Sequence, residues 1–341
     1  MNLAVTSTNS QFDAYAKEQA LRKEASEWDT SDVRPAGSDD IPVLDIGPWQ
    51  TSGDEQTLDC LAEELRFACE EVGFFSIVGH GVSHTLLSRM FEQVAAFHAR
   101  PAAEKEAIRM DQASWPHGGM GYLPLRNRKL PARESANVNE AFLLKCDHRL
   151  GMDDNRWPDP AVLPEFRSTV DEYAHAMVEL ALGMLPIFAR ALELPSNYFE
   201  TAFNSPFYRL RMTRYPPTEI AEYGINPHVD TTFMTILAQD SPGLAIFSER
   251  ERAWIRVPAL DGALVVNTGE LLRQWTNDRF VSTKHFAANN HEATARYSIP
   301  FFFNANSDYV MECIPSCWSE DNPPRYPPVS YNGSQAVAQG E

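Results

Sequence analysis

A chain of 341 residues, 43% hydrophobic and 11% aromatic, is long enough to bury a sizeable core as one large domain or two. Its 29 basic against 47 acidic residues give a net charge of −18, which argues against a nucleic-acid backbone or an anionic membrane as partner. The five cysteines (Cys60, Cys69, Cys146, Cys313, Cys317) are odd in number and scattered. Cys313 and Cys317 are spaced to pair or to share a metal, yet no second Cys/His pair has zinc spacing, so buried thiols in a reducing compartment are expected. The start, Met1-Asn2-Leu3-Ala4-Val5-Thr6-Ser7, has no basic residues followed by an apolar run. No later stretch reads as long enough to span a bilayer, and a cytoplasmic protein is expected. Composition sets no oligomeric state.

In chain order, residues 1–38 are polar and charged, with a short helical pattern near Tyr15–Ala25, and read as a mobile or peripherally docked arm. Residues 41–46 and 74–79 read as strands. Between them Leu58, Leu61, Ala62, Leu65, Phe67 and Ala68 recur at helical spacing. Residues 84–99 and 164–192 carry the same period, the second strongly apolar, with Pro186 as a candidate kink or break. Arg126, Arg128, Lys129 and Arg133 form a basic island after Gly121-Tyr122-Leu123-Pro124; such a run is most simply solvated, and the functional alternative is capture of an acidic substrate. From residue 206 the pattern becomes short strands broken by Pro, Gly, Asn and Asp, with Asp240-Ser241-Pro242-Gly243 a clear turn. Helices first and strands later predict an α+β fold, a double-stranded β-helix (jelly-roll) core with flanking helices. The expected division is an N-terminal arm over 1–38 and a single catalytic unit over 39–341. Within that unit, 39–200 is mainly helical, 201–310 is the jelly-roll core and 311–341 a C-terminal tail.

The most informative stretch is Asn226-Pro227-His228-Val229-Asp230, because His285 follows 55 residues after Asp230 and Arg296-Tyr297-Ser298 begins 11 residues beyond that. Two imidazoles and one carboxylate are the ligand set of the facial triad that holds non-haem Fe(II) with open positions for oxygen chemistry. Residues two apart on a strand share a face, so His228 and Asp230 can reach one metal, and Thr231–Leu237 continues as β-branched and apolar residues. His285 sits in a second strand-like run, Phe280–Phe286. Arg296 and Ser298 repeat the two-apart logic: a guanidinium grips a carboxylate through paired charge-assisted hydrogen bonds, and the hydroxyl adds another. His-x-Asp alone is usually a surface pair and Arg-x-Ser alone a solvated strand face; the ordered combination carries the reading. His291 is a decoy in a polar turn.

These motifs resemble the isopenicillin N synthase-like family of Fe(II)- and 2-oxoglutarate-dependent dioxygenases over roughly residues 40–330. Ile41–Ile46 and Gly73–Val82 resemble its N-terminal signature. Asn155-Arg156-Trp157-Pro158 and Arg214-Tyr215-Pro216-Pro217 resemble its middle segments, and Asn267-Thr268-Gly269-Glu270 with Trp275–Phe280 its approach to the last iron ligand. The resemblance implies Fe(II) held by His228, Asp230 and His285. It also implies 2-oxoglutarate as cosubstrate with its 5-carboxylate on Arg296, Ser298 and Tyr215, and dioxygen as oxidant. Succinate and carbon dioxide would be released as a small-molecule substrate is hydroxylated, desaturated or cyclised, in the manner of secondary metabolism. Because Asp230 fills the third protein position, no vacancy is left for chloride and halogenation is disfavoured.

Other residues are ranked structural first. Tyr215 is otherwise a half-buried strand tyrosine, with Arg211 and Thr213 on its face; Asn267 and Thr268 shape a turn near the iron; Phe142 and Phe301-Phe302-Phe303 are core, although the resemblance places such positions near the substrate. Two rivals are open at this point. One is an oxidase of the same fold that uses Arg296 and Ser298 for a substrate carboxylate in place of 2-oxoglutarate. The other is a non-catalytic metal-binding jelly-roll module.

Overall fold

A computed structural model describes residues 32–110, 120–125, 137–147, 155–219 and 223–332. The basic island of Arg126, Arg128, Lys129 and Arg133, and the helical pattern near Tyr15–Ala25, lie outside those residues.

Two sheets make the core. The smaller has five strands: β1 (Val33–Pro35), β7 (Ile225–His228), β9 (Leu244–Ser248), β10 (Ala253–Arg256) and β12 (His285–Ala287), in spatial order β1-β10-β9-β12-β7. The larger has eight: β2 (Val43–Asp45), β3 (Phe74–Val78), β4 (Tyr122–Leu123), β5 (Glu140–Cys146), β6 (Phe207–Tyr215), β8 (Met234–Gln239), β11 (Leu264–Thr268) and β13 (Arg296–Asn304), in spatial order β2-β3-β11-β8-β13-β6-β5-β4. Leu244, Ile246 and Ile255 of the small sheet pack with Phe74 and Val265 of the large one, so the two inner faces close on each other as a jelly roll. The strands do not respect the boundary expected at residue 200. β2 to β5 extend the large sheet from the N-terminal half, and β1, inside the stretch read as an arm, pairs in parallel with β10.

The outer face of the large sheet is covered by helices: α1 (Gly47–Ser52), α2 (Glu55–Phe67), α3 (His84–His98), α4 (Ala102–Glu106) and α5 (Phe166–Ala191), followed later by the short α6 (Glu270–Trp275). Asp54 caps α2 by accepting from the Thr57 amide at 2.9 Å, and Leu58, Leu61, Ala62 and Leu65 form its buried face as the periodicity predicts. Phe67 departs from that series: it is 54% exposed, because one residue short of Ala68 it has rotated off the face. α5 runs unbroken through Pro186, which neither splits nor ends it. By length and composition this helix could cross a membrane, contrary to the reading of the sequence. Its apolar side chains are instead used against the sheet and α2 and α3, with Tyr173, Met177, Phe188 and Ala189 fully buried.

Aromatic rings cluster where α5 meets the chain just after the expected metal ligands. Phe233 contacts the rings of Phe203, Phe188 and Phe199 at centroid distances of 4.9, 5.5 and 5.6 Å, and Trp275 at 6.0 Å. Its amide donates to the Asn304 side chain at 3.1 Å. Phe233→Ala is predicted to cost about 3–5 kcal/mol of stability, measured by urea denaturation; a loss below about 1 kcal/mol would show that this cluster does not support the fold.

Candidate active site

His228 is the last residue of β7 and His285 the first of β12, and the antiparallel register sets them directly opposite each other. Their rings lie 4.3 Å apart between centroids. Asp230 is not on the same strand as His228, in contrast to the two-apart reading. β7 ends at His228, and residues 229–233 cross from the small sheet to the large one before β8 begins at Met234. The crossing still turns the carboxylate inward: its Oδ1 lies 3.6 Å from His228 Nε2 and 3.7 Å from His285 Nε2, and one ligand atom from each of the three residues falls within 4.8 Å of the others. The run before His285 is likewise not a strand. Val281 and Thr283 are pinned in a loop by Val281 N donating to the Cys69 carbonyl (2.9 Å) and Thr283 Oγ1 to the Val72 carbonyl (2.6 Å).

The atoms left over orient the ligands. His228 Nδ1 donates to its own strand's Asn226 carbonyl at 2.8 Å and His285 Nδ1 to the Thr283 carbonyl at 3.0 Å, which leaves both Nε2 lone pairs pointing at the shared space. Asp230 Oδ2 accepts from Thr235 Oγ1 at 2.8 Å and Asn267 Nδ2 at 3.1 Å, leaving Oδ1 toward the histidines. Burial works against the Asp230 carboxylate, but the adjacent imidazoles and the Thr235 hydroxyl outweigh it and hold the group well below the usual carboxylate range. Burial, then the neighbouring His228, pushes the His285 imidazole down to about 4, so it is neutral and able to ligate at pH 7. Gly269 is required beside this crossing, where a Cβ would lie 2.1 Å from the Thr232 carbonyl oxygen. The donor set, its tautomers and its open side fit a divalent iron held by two nitrogens and one oxygen.

A second polar pocket is built on the large sheet. Arg296 and Tyr215 are register partners across β13 and β6, and Ser298 pairs with Thr213 on one side and Gln239 on the other. The Arg296 side chain is buried, with Nε donating to the Ser241 carbonyl (3.0 Å) and one Nη to Gln239 Oε1 (3.0 Å), over the Tyr215 ring at 4.8 Å. Gly243 allows this approach, since a Cβ there would meet Arg296 Nε at 2.6 Å. The other Nη has no hydrogen-bond partner, and no carboxylate lies within ion-pairing distance among the described residues. The Tyr215 hydroxyl and Ser298 Oγ stand 3.2 Å apart beside it. A buried guanidinium with an unfilled donor is costly unless an anion completes it, and a dicarboxylic keto acid offers such an anion at its far end.

Comparison with known proteins agrees with this geometry. The family profile described as non-haem dioxygenase in morphine synthesis N-terminal matches residues 41–160, and that described as 2OG-Fe(II) oxygenase superfamily matches residues 204–305. The chain belongs to the 2OG-Fe(II) oxygenase superfamily. It is 33% identical to the 2-oxoglutarate-Fe(II) type oxidoreductase hxnY of Emericella nidulans, over 85% of this chain and 86% of that one. The crystal structure of a full-length Neurospora crassa protein in complex with alpha-KG and thymine superposes with a TM-score of 0.79 at 22% identity, covering 90% of this chain and 99% of that one, and shows the shared fold. The structure of JOX2 in complex with 2OG, Fe and JA gives 0.76 at 26% identity, covering 92% of this chain and 91% of that one. This chain is therefore a non-haem Fe(II)- and 2-oxoglutarate-dependent oxygenase with a jelly-roll core, and its cofactors are Fe(II), 2-oxoglutarate and dioxygen.

The oxygenase's remaining candidates fall as follows. His291 is exposed, bonded to the Thr218 carbonyl at 2.9 Å, and outside the cluster. Asn267, ranked as structural, touches the Asp230 carboxylate directly, whereas Thr268 Oγ1 donates to backbone carbonyls at Gly73 and Val281 and is structural. Phe142, Phe301 and Phe303 are core, while Phe302 turns to the other face against Arg209. All five cysteines are free, Cys313 and Cys317 included. Thr235, Gln239 and Ser241 escape sequence reasoning; their only signal is strand parity and turn position, which many residues share.

Two outcomes follow for this site. Thr235→Val is expected to weaken Fe(II) binding roughly 10–100-fold with little change in fold, by metal titration; unchanged affinity would remove Thr235 as an orienting group. The folded value of His285, about 4, lies below the ordinary imidazole value of about 6.5. The unfolded chain therefore takes up the proton first, and metal-free protein loses stability as pH falls through that window, by about 1.4 kcal/mol per pH unit. His285→Gln should flatten this part of the pH–stability profile; an identical slope in the variant would contradict a buried neutral imidazole.

Proposed function

We propose that this oxygenase hydroxylates a small-molecule substrate, with His228, Asp230 and His285 holding Fe(II), and with Arg296, Ser298 and Tyr215 holding the 5-carboxylate of 2-oxoglutarate. The observation that carries the second half is the buried Arg296 guanidinium, completed by protein on two nitrogens and open on the third. Iron and 2-oxoglutarate together supply reduction of dioxygen, with loss of carbon dioxide and formation of succinate, to an oxidant able to take hydrogen from carbon.

The protein's own part is positioning. Asn226 and Thr283 carbonyls keep both Nδ1 protons away from the metal face, so no proton competes for Nε2. Thr235 and Asn267 keep Asp230 Oδ2 occupied, so Oδ1 is the oxygen that would hold the metal. Gln239 and Ser241 fix the plane of the Arg296 fork, which lowers the ordering cost of binding. Hydroxylation is the default outcome; desaturation or ring closure would need only a different placement of the substrate over the same residues. A role in the metabolism of small molecules is supported by relatives of this type, and the location we propose is the cytoplasm. The partner we propose is a small molecule, with no nucleic acid or membrane; the charge of −18 supports this.

Arg296→Leu is expected to raise the Kd of 2-oxoglutarate roughly 100-fold or more, and Ser298→Ala several-fold, by about 1–3 kcal/mol for each charge-assisted bond lost. Fe(II) affinity should be unchanged in both. Equal 2-oxoglutarate binding in wild type and Arg296→Leu would instead favour an oxidase that uses this fork for its substrate.

A further inference from the structure

The strand that carries the first metal ligand is weakly held by its own sheet. β7 is an edge of the small sheet, so only β12 pairs with it there. That pairing slips along its length: His228 stands opposite His285, whereas Ile225 stands opposite Ala287. Asn226 and Pro227 therefore share the space opposite Phe286, a β-bulge immediately before His228. Pro227 has no amide hydrogen to give to a ladder. An edge strand with a bulge and a proline next to a ligand leaves the direction of that ligand to be fixed from elsewhere.

The fixing contacts come from the chain that leads into β5 of the large sheet. Val138 N donates to the Tyr223 carbonyl at 2.9 Å, and Asn139 Nδ2 to the Gly224 carbonyl at 2.6 Å. Asn137 Oδ1 accepts twice from Asn226, from its backbone amide at 2.9 Å and from its side-chain Nδ2 at 2.6 Å. Both asparagines are buried, Asn226 fully. Neither side chain can be turned over: a backbone N–H only donates, so the Asn137 atom is the oxygen and the Asn226 atom facing it is the nitrogen. Asn226 Oδ1 is then buried with no hydrogen-bond partner among the described residues, a cost that this placement of the amide carries. The Asn226 carbonyl in turn accepts from His228 Nδ1 at 2.8 Å. A continuous path thus runs from Asn137 through one residue to the imidazole of the metal cluster. Its starting point is firm. Val138 is buried, and Glu140 just beyond is enclosed on the helix side by Tyr122 (2.6 Å), Lys105 (2.8 Å) and Arg214 (2.8 Å).

We propose that Asn137 is a positioning residue for the metal: by gripping Asn226 at the bulge it aims the His228 imidazole, so the large sheet helps to set the affinity and geometry of the iron site. This rests on the oxygenase reading, in which His228 holds Fe(II). Loss of the Asn137 oxygen leaves two buried N–H donors unpaired beside the bulge. The backbone there then turns to find other partners and carries the Asn226 carbonyl and the His228 ring with it. An aspartate at the same position keeps an oxygen for both donors at the same reach.

The test titrates the full chain anaerobically with Fe(II) against a competing chelator, and records the ligand-field absorption of the Co(II)-loaded protein as a report on geometry. Asn137→Ala is expected to weaken Fe(II) binding roughly tenfold and to shift the Co(II) bands. Asn137→Asp should restore both. Val94→Ala, in the buried face of α3, should lower thermal stability yet leave affinity and bands as in the wild type. Wild-type affinity and bands in Asn137→Ala would overturn the proposal, as would equal losses in Asn137→Ala and Asn137→Asp. A loss of affinity in Val94→Ala that matches Asn137→Ala would overturn it too, since affinity would then follow stability alone. If Asn137→Ala does not fold, Asn226→Ala decides: it loses only the side-chain half of the contact, a smaller loss of affinity is expected, and unchanged affinity and bands count against the proposal. A wild type that takes up no Fe(II) removes the oxygenase reading, and this proposal with it.

Discussion

The pairing of His228 against His285 at the β7–β12 register is the constraint on which the rest of the site depends. It places two imidazoles on one side of the small sheet at the moment β7 ends, so the next residues are free to leave for the large sheet and carry Asp230 with them. Neither sheet could make this cluster alone. The nitrogens come from the small sheet, while Thr235 and Asn267, which hold the carboxylate, come from β8 and β11 of the large one. A shift of one residue in β12 would turn His285 to the opposite face and leave Asp230 without its partners.

The metal cluster and the anion fork are connected through the same sheet. β8 begins within a few residues of Asp230, carries Thr235 under that carboxylate, and ends at Gln239, which bonds Arg296. One strand thus fixes the separation between the Asp230 carboxylate and the Arg296 guanidinium. Its outer face is anchored by the aromatic cluster around Phe233 and by α5. Rigidity there holds a site with several costly demands, a buried guanidinium and two adjacent imidazoles among them, in one arrangement. The stability that supports it comes from the helix-covered side of the sheet, where side chains are apolar and tightly packed.

Much of this is legible in the sequence, and the reason is locality. His-x-Asp and Arg-x-Ser are short patterns whose chemistry depends on residue type and on facing the same way, and the spacing to His285 and Arg296 completes them. The jelly-roll core is legible from the change of period after residue 206. The misreadings share another cause, tertiary override of local preference. Val281 and Thr283 are good strand formers, yet their backbone and side-chain donors are taken by Cys69 and Val72 from a distant element, and a loop results. Thr231-Thr232-Phe233 reads as strand but must bend to cross between sheets. Helix α5 has the length and apolarity of a membrane span because a helix buried on a large sheet needs the same composition. Thr235, Gln239 and Ser241 cannot be found from sequence, since their partners are set by the register of strands far apart in the chain.

The central claim is that the His228–Asp230–His285 cluster and Arg296 are two halves of one iron and 2-oxoglutarate site. The most direct measurement is an anaerobic titration of Fe(II)-loaded protein with 2-oxoglutarate, following the visible charge-transfer absorption of a chelated keto acid. The account predicts a saturable band in the wild type that vanishes in Asp230→Ala and needs far more 2-oxoglutarate in Arg296→Ala. Stoichiometric iron with no band, or a band that saturates identically in Arg296→Ala, would contradict it.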